Sequence, residues 1–276
     1  MSNSRISGLH RLSVAERVAR LQEAGWLSAA EAIRLREGLC VLPTTAADRM
    51  IENVVGVFGL PFAIAPNFVV NDREHIVPLV VEEPSIVAGL SSAAALARKA
   101  GGFEVESSGS LLIGQIHVTN VADADHAIAA LEKVRPALLE SANRVHPRLV
   151  DRGGGVREIE TRLFELPDGR PLIAVHVLVD TCDAMGANLV NSICEAVAPD
   201  VAAACEGDVA LRILSNLADR SLYPARARFT LPADVCDAIV TANDIALVDP
   251  YRAATHNKGV MNGVDSLAIA TGNDWR

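Results

Sequence analysis

Aromatic side chains are scarce in this chain, at 4% of 276 residues. A core without large rings must be filled by aliphatic groups. Half of the chain is apolar, so close helix and strand contacts lined by Ala, Val, Leu and Ile are expected. An excess of positive charge is also missing: 25 Lys and Arg stand against 34 Asp and Glu, a formal net charge of −9. Nucleic-acid binding needs clustered cations to neutralise phosphates, so nucleic acid is not expected as the main partner, while a small anion held by a few local cations stays open. No uninterrupted apolar run reaches about 18 residues, so no membrane span is expected. The N-terminus is polar and mixed in charge, unlike a secretory signal, and a cytoplasmic location is the default. The cysteines are Cys40, Cys182, Cys194, Cys205 and Cys236. Their number is odd and their spacing fits no zinc pattern. They read as buried small hydrophobes in a reducing compartment, with no metal site. No G-x-G-x-x-G follows a strand, so a Rossmann site is not supported.

The first forty residues read as a helical hairpin. Ser13-Val-Ala-Glu16 and Ser28-Ala-Ala-Glu31 are capping boxes, and Gly25 and Gly38 are stops. Ile76–Val81 is a buried strand-like run ending in Glu82-Glu83-Pro84-Ser85, and a helix follows from Ile86 to Lys99. The middle third alternates most clearly: a strand over Leu111–Val118, a helix over Asp123–Arg144 kinked at Pro136, strands over Glu158–Leu166 and Leu172–Val179, a helix from Ala184 to Val197, and a strand over Val209–Leu214. That βαββαβ order is the split, ferredoxin-like arrangement. The expected fold is therefore α+β: a large mixed helix and sheet domain, residues 1–109 and 216–276, with a small ferredoxin-like domain inserted over 110–215.

Four constellations can carry chemistry. Glu82-Glu83-Pro84-Ser85 sets two carboxylates where a buried strand meets a helix. One reading is a general acid with a raised pKa; the other is a helix N-terminus using Glu and Ser to satisfy its free N–H groups. Asp183-Ala-Met185-Gly186-Ala-Asn188 opens a helix and suits either capping or the close approach of a phosphate or ribose. Arg144-Val-His146-Pro-Arg148, just before Gly153-Gly154-Gly155, is either a solvated basic corner or a nucleotide-phosphate site. Asp249–Gly263 holds Arg252, Lys258 and Asn262 in a Gly- and Asn-rich stretch read as a loop, with Asp274 sixteen residues beyond the lysine. Lys258 there can stabilise an oxyanion, form a Schiff base, or simply be solvated.

Taken together and in order, these segments resemble the class II, bacterial-type hydroxymethylglutaryl-CoA (HMG-CoA) reductases. The resemblance is carried by Met50-Ile-Glu-Asn-Val-Val-Gly56, Val80-Val-Glu-Glu-Pro-Ser-Ile-Val87, Asp183-Ala-Met-Gly-Ala-Asn188, Leu211–Asp219, Asp249–Gly259 and Thr271-Gly-Asn-Asp-Trp-Arg276. It implies the four-electron reduction of HMG-CoA to mevalonate and CoA, or the reverse, through a thiohemiacetal and mevaldehyde, as in isoprenoid biosynthesis. By the same resemblance Glu83 is the proton donor, Lys258 the oxyanion stabiliser and Asp274 their hydrogen-bonding partner. Ser85, Arg252 and Asn262 hold the HMG moiety. Asp183, Met185, Gly186, Asn188 and Asn216 hold the dinucleotide. His146 occupies the position where NADH-preferring members can carry an acidic residue, and with Arg144 and Arg148 beside it NADPH is expected, with NADH as the alternative. The family's active sites are shared across a dimer interface, so a homo-oligomer is implied.

The chain also departs from the family pattern. The family histidine that protonates the departing CoA thiolate lies beyond the Gly-Asn-Asp-Trp-Arg segment, and none of the seven histidines here stands in that context. The C-terminal flap domain and the rest of the large domain are not matched, and the connection between Pro232 and Asp249 looks shorter than the family's. Two expectations follow. The chain is the N-terminal two-thirds of a soluble, oligomeric HMG-CoA reductase, or it is a shortened, non-catalytic homologue that binds acyl-CoA or dinucleotide.

Overall fold

The computed structural model describes residues 3–39 and 41–275. Contacts divide the chain into two compact units, Met1–Val105 with Ala225–Arg276, and Glu106–Pro224. The inserted unit is longer at both ends than the expected 110–215, because its two entry segments run together. The Glu106 N–H donates to the Pro224 carbonyl (3.1 Å), the Ser108 N–H to the Leu222 carbonyl (2.9 Å), and the Leu222 N–H to the Ser108 hydroxyl (2.9 Å).

The first unit opens with helices α1 (Val14–Glu23), α2 (Ala29–Arg36) and α3 (Thr44–Ala47). Both expected capping boxes form, with Ser13 and Ser28 each exchanging bonds with a glutamate three residues on. Strands β1 (Phe62–Val70) and β2 (Arg73–Val80) then make an antiparallel hairpin. Only its second strand is expected from sequence. Its two-residue turn, Asn71-Asp72, has both residues at positive φ, the conformation that matches strand twist. Residues 54–61, apolar in sequence, form no regular element. Helix α4 (Ile86–Arg98) and strand β3 (Phe103–Val105) complete this part.

The inserted unit is built from β4 (Leu111–Thr119), α5 (Ala124–Val145), α6 (Pro147–Asp151), β5 (Gly155–Glu165), β6 (Pro171–Asp180), α7 (Ala187–Cys205) and β7 (Asp208–Ser215). Its sheet has the order β5-β6-β4-β7 with every neighbour antiparallel. The central strand β6 is almost wholly buried, which is why it reads as a continuous apolar run. Pro136 and Pro199 lie inside α5 and α7 without ending them. Helix α7 starts and ends later than expected. Met185 precedes it and is 70% exposed, and the buried stripe is Val190, Ile193, Cys194, Val197, Ala198, Val201 and Cys205.

The chain returns to the first unit through β8 (Ala225–Ala227), α8 (Ala233–Val248) and α9 (Pro250–Ala270). The first sheet has the order β2-β1-β3-β8. The stretch Asp249–Gly263, read from sequence as a loop, is helix. Asp249 caps it, its side chain accepting from the Tyr251 N–H at 2.9 Å, and Pro250 occupies the first helical position, where its missing N–H costs nothing. The two internal glycines are outweighed by good helix formers around them. Among the described residues no helix is long and apolar enough to cross a membrane.

The cysteine expectation needs correction. Cys194 and Cys205 are buried, and burial pushes their thiols up to about 12 and about 11. Cys182 is half-buried and packs against the same core, Cys236 is exposed and is the one that departs from the expectation among the described residues, and Cys40 lies outside them.

Candidate functional site

In the first unit the chain brings Lys258 and Glu83 together across 175 residues of sequence: the Lys258 ammonium donates to Glu83 Oε2. Glu83 lies between β2 and α4, and Lys258 is on α9, which packs against β2 and α4. The two side chains are 59% and 45% exposed. A pair this accessible stabilises a fold by no more than about 1 kcal/mol, so stability does not explain it.

Ser85 is the N-cap of α4, yet its side chain makes no capping bond, and its backbone is left-handed at φ 72°. The reading in which Ser85 satisfies the helix N-terminus is therefore wrong. A non-glycine residue held there costs of order 1 kcal/mol and leaves the hydroxyl unused by the helix. On α9, Lys258 and Asn262 are one turn apart on one face. Arg252 is about 9 Å back along the axis and about 120° round from Lys258, so the helix does not align all three. Asp274 is exposed and follows α9, whose last residue is about 18 Å along the axis from Lys258.

Sequence reasoning missed Asp265. It falls at i+7 from Lys258 on the same stripe, and its Oδ1 is buried with no hydrogen-bond partner among the described residues. The heptad spacing from Lys258 was the available signal.

The inserted unit carries a cavity of about 690 Å³ lined by His146, Arg148, Arg152, Thr181, Cys182 and Asp183 among others. Two expected segments thus meet: the basic corner after α5 and the turn before α7. The turn is fixed by its own bonds. Asp180 Oδ1 accepts from the Cys182 N–H (3.0 Å), and the Thr181 hydroxyl donates to the Ala184 carbonyl (3.0 Å). That backbone N–H, aided by Arg157, holds the Asp180 carboxyl below the usual range. Gly186 closes the turn at φ 87°, where a Cβ would meet Thr181 Cγ2 at 2.6 Å. His146, between α5 and α6, has its Nε2 buried without a partner among the described residues. Met185, Asn188 and Asn216 are exposed; Asn188 is in the first turn of α7, and Asn216 directly follows β7. Arg144 does not line the cavity. Its guanidinium donates to Glu140 one turn back at 2.7 Å. Arg152, which sequence reasoning passed over, takes its place.

The two units together define an α+β protein with an amine–carboxylate pair on one unit and a cation-lined cavity of about 690 Å³ on the other. The family model for hydroxymethylglutaryl-coenzyme A reductase matches residues 13–276, and the chain belongs to that family. The chain is 46% identical over 279 aligned residues to the 3-hydroxy-3-methylglutaryl-coenzyme A reductase of Archaeoglobus fulgidus, covering 99% of this chain and 63% of that protein. A Borreliella burgdorferi relative is 34% identical over 243 residues, covering 82% of this chain and 53% of its own length. The chain therefore spans between half and two-thirds of these curated relatives. Among solved structures, the Streptococcus pneumoniae reductase superposes with a TM-score of 0.93 at 38% identity, covering 98% of this chain and 75% of that one. A class II reductase from the same organism, bound to NADPH in open conformations, superposes at 0.91 with the same identity and coverage.

Proposed function

We propose that the protein carrying this chain reduces HMG-CoA to mevalonate and CoA, or runs the reverse reaction, with NAD(P)H. The observation that carries this reading is the Glu83–Lys258 pair in a chain 46% identical to a reductase. When bound, the dinucleotide supplies two electrons and a hydrogen in each of two reductive steps. The chain's own groups do the rest. Lys258 neutralises the oxyanion that grows on the thioester carbonyl, and Glu83, in its protonated form, gives that oxygen a proton and is left as the carboxylate that pairs with Lys258. Asp274 completes the cluster as hydrogen-bonding partner, in this reading across a subunit interface. Ser85, whose hydroxyl the helix does not use, and Asn262 and Arg252 hold the HMG moiety, Arg252 by its free carboxylate.

The cavity of the inserted unit suits the dinucleotide. Its volume is of ligand size, its wall presents arginines, and His146 Nε2 lacks a partner among the described residues. Gly186, Asp183, Met185 and Asn188 form the turn at the start of α7, and Asn216 follows the neighbouring strand β7. The βαββαβ order and the antiparallel sheet support the ferredoxin-like reading of this unit.

A homo-oligomer with a dimeric active unit belongs to the same proposal. Helix α8 has no buried residue, and Ile239, Val240, Ile245, Leu247 and Val248 on it are exposed, as are Met50, Ile51, Val55 and Phe58. Apolar surface of that extent marks an interaction site. A cytoplasmic location goes with this reading. Assaying HMG-CoA-dependent oxidation of NADPH and NADH tests it, with no turnover in either direction as the outcome against it.

A further inference from the structure

The face of the inserted sheet that turns away from its helices carries titratable groups that the proposed reaction does not use. Ile116, Val118, Val175 and Val177 belong to the core under α5 and α7. Alternation therefore sends Gln115 and His117 of β4 and His176 of β6 to the opposite face. That face is covered rather than open, since Ile113, Ala174, His176 and Leu178 on it are all buried. The sheet order β5-β6-β4-β7 puts β5 and β7 at opposite edges. Yet Arg220, shortly after β7, donates to Glu160 on β5 at 2.8 Å, and its carbonyl accepts from the Leu111 N–H at 3.4 Å. The stretch 216–224, which forms no regular element, thus crosses the sheet and is tied down on the far side.

His176 has Gln115 and Glu160 as its direct cross-strand neighbours, on β4 and β5. The Gln115 amide nitrogen, which can only donate, bonds His176 Nε2 at 2.9 Å, so that ring nitrogen accepts and carries no proton. Nδ1 of His176 and Nδ1 of His117 are buried without a partner among the described residues. The charges facing the His176 ring are Glu160 and Arg162 from β5, His117 from β4 when it is protonated, and Asp219 and Arg220 from the crossing stretch. The neighbouring β7 adds only Leu211 and Ile213 opposite His117 and Gln115. Glu160 already serves two guanidinium groups, Arg162 at 3.1 Å and Arg220 at 2.8 Å.

We propose that His176 is a proton-sensitive latch for this stretch, neutral while the stretch lies closed over the sheet and protonated when it lifts. Protonation turns Nε2 from acceptor to donor and sets two N–H groups against each other at Gln115. The new charge also adds a third cation beside Glu160 and weakens its hold on Arg220. Burial, and after it the Arg162 charge, keep the covered ring below the ordinary histidine value of 6.5. Lifting the stretch hydrates the ring and returns it towards that value. The open form then takes up the proton more readily, so acid favours opening.

Hydrogen exchange of the unliganded protein, followed by mass spectrometry and corrected for the intrinsic rate at each pH, reads the latch. Protection of peptides spanning 216–224 should fall about 10-fold between about pH 7.5 and pH 5, and should stay well below that of α7 throughout, because the stretch opens without the core. His176→Gln, neutral at every pH and still able to accept from Gln115, should remove the fall, whereas His117→Gln should keep it. Glu160→Gln deletes the charge that holds Arg220 and should lower protection already at neutral pH. Circular dichroism checks that each variant folds; the wild-type series and Glu160→Gln decide the matter even without His176→Gln. Protection of 216–224 that is independent of pH, that equals α7 at every pH, or whose fall survives His176→Gln overturns the proposal, as does undiminished protection in Glu160→Gln.

Discussion

Helices α7 and α8 are similar in length, 19 and 16 residues, and both are rich in aliphatic side chains, yet α7 buries seven residues and α8 none. Helix α7 lies on a sheet whose central strand is almost fully buried, and with α5 it seals a core from Ile116 to Cys205. Helix α8 contacts α9 and leaves its apolar residues in the open. Of the largest fully buried side chains, only Leu79 belongs to the first unit, whose core is otherwise dominated by alanines. The inserted unit thus has the interior of an independent domain, whereas the first unit leaves many of its apolar side chains exposed. The amine–carboxylate pair sits on the unit with the exposed apolar helix and the cavity on the unit with the sealed core. Chemistry is expected to depend on assembly, and cofactor binding is not.

Several substitutions probe that contrast. Lys258→Ala should lower turnover by about two to three orders of magnitude, the loss seen when a group stabilising an oxyanion is removed, while the melting temperature stays put. Ile193→Ala, in the sealed core, should cost about 2–5 kcal/mol in denaturant unfolding. Val240→Asp on α8 should instead leave the unfolding of the inserted unit unchanged and shift sedimentation towards the monomer. If it fails to dissociate the protein, α8 is not at the interface.

The two units should also differ towards acid. Burial holds His117 and His176 of the inserted unit below their usual 6.5, His176 being bonded through Gln115 Nε2 at 2.9 Å. The unfolded chain then binds more protons than the folded one, so stability falls as pH drops below about 6.5. In the first unit, Glu74 is held at about 2, first by its hydrogen bonds to Arg98, which outweigh the opposing effect of burial, and then by those to Ser4. Its contribution is present above the ordinary glutamate value of 4.5 and is lost as pH falls towards 2. Stability curves against pH should show the histidine phase first, and His176→Gln should flatten it while leaving the glutamate phase. The smallest expected effect is Ser28→Ala, about 1 kcal/mol or less from a lost capping box on an exposed helix.

What was legible in the sequence follows the same division. The inserted unit reads well because its strands alternate or run apolar and its helices have one buried stripe, so periodicity reports the packing directly. The capping boxes were equally plain. In the first unit, β1 was missed because Asn67, a bulge between Ala65 and Phe68, and the polar start of β2 break the alternation. Helix α9 reads as a loop because Gly259, Gly263 and two asparagines mimic turn chemistry, although Asp249-Pro250 is a helix N-terminal signal. Arg144 was credited over Arg152 because adjacency in sequence outranked helical spacing. Glu140, one turn before Arg144, was the sign that it is paired. Neither Glu83 nor Lys258 is marked by periodicity. Their meeting follows from the docking of α9 on β2, which a local pattern cannot report.

The most direct measurement is the stoichiometry of HMG-CoA-dependent dinucleotide oxidation by the protein that carries this chain, with mevalonate quantified in the same reaction. Two dinucleotides oxidised for each mevalonate formed, and none without HMG-CoA, is the predicted result. Oxidation indifferent to HMG-CoA, or mevalonate formed undiminished by a protein with Lys258→Ala, would contradict the account.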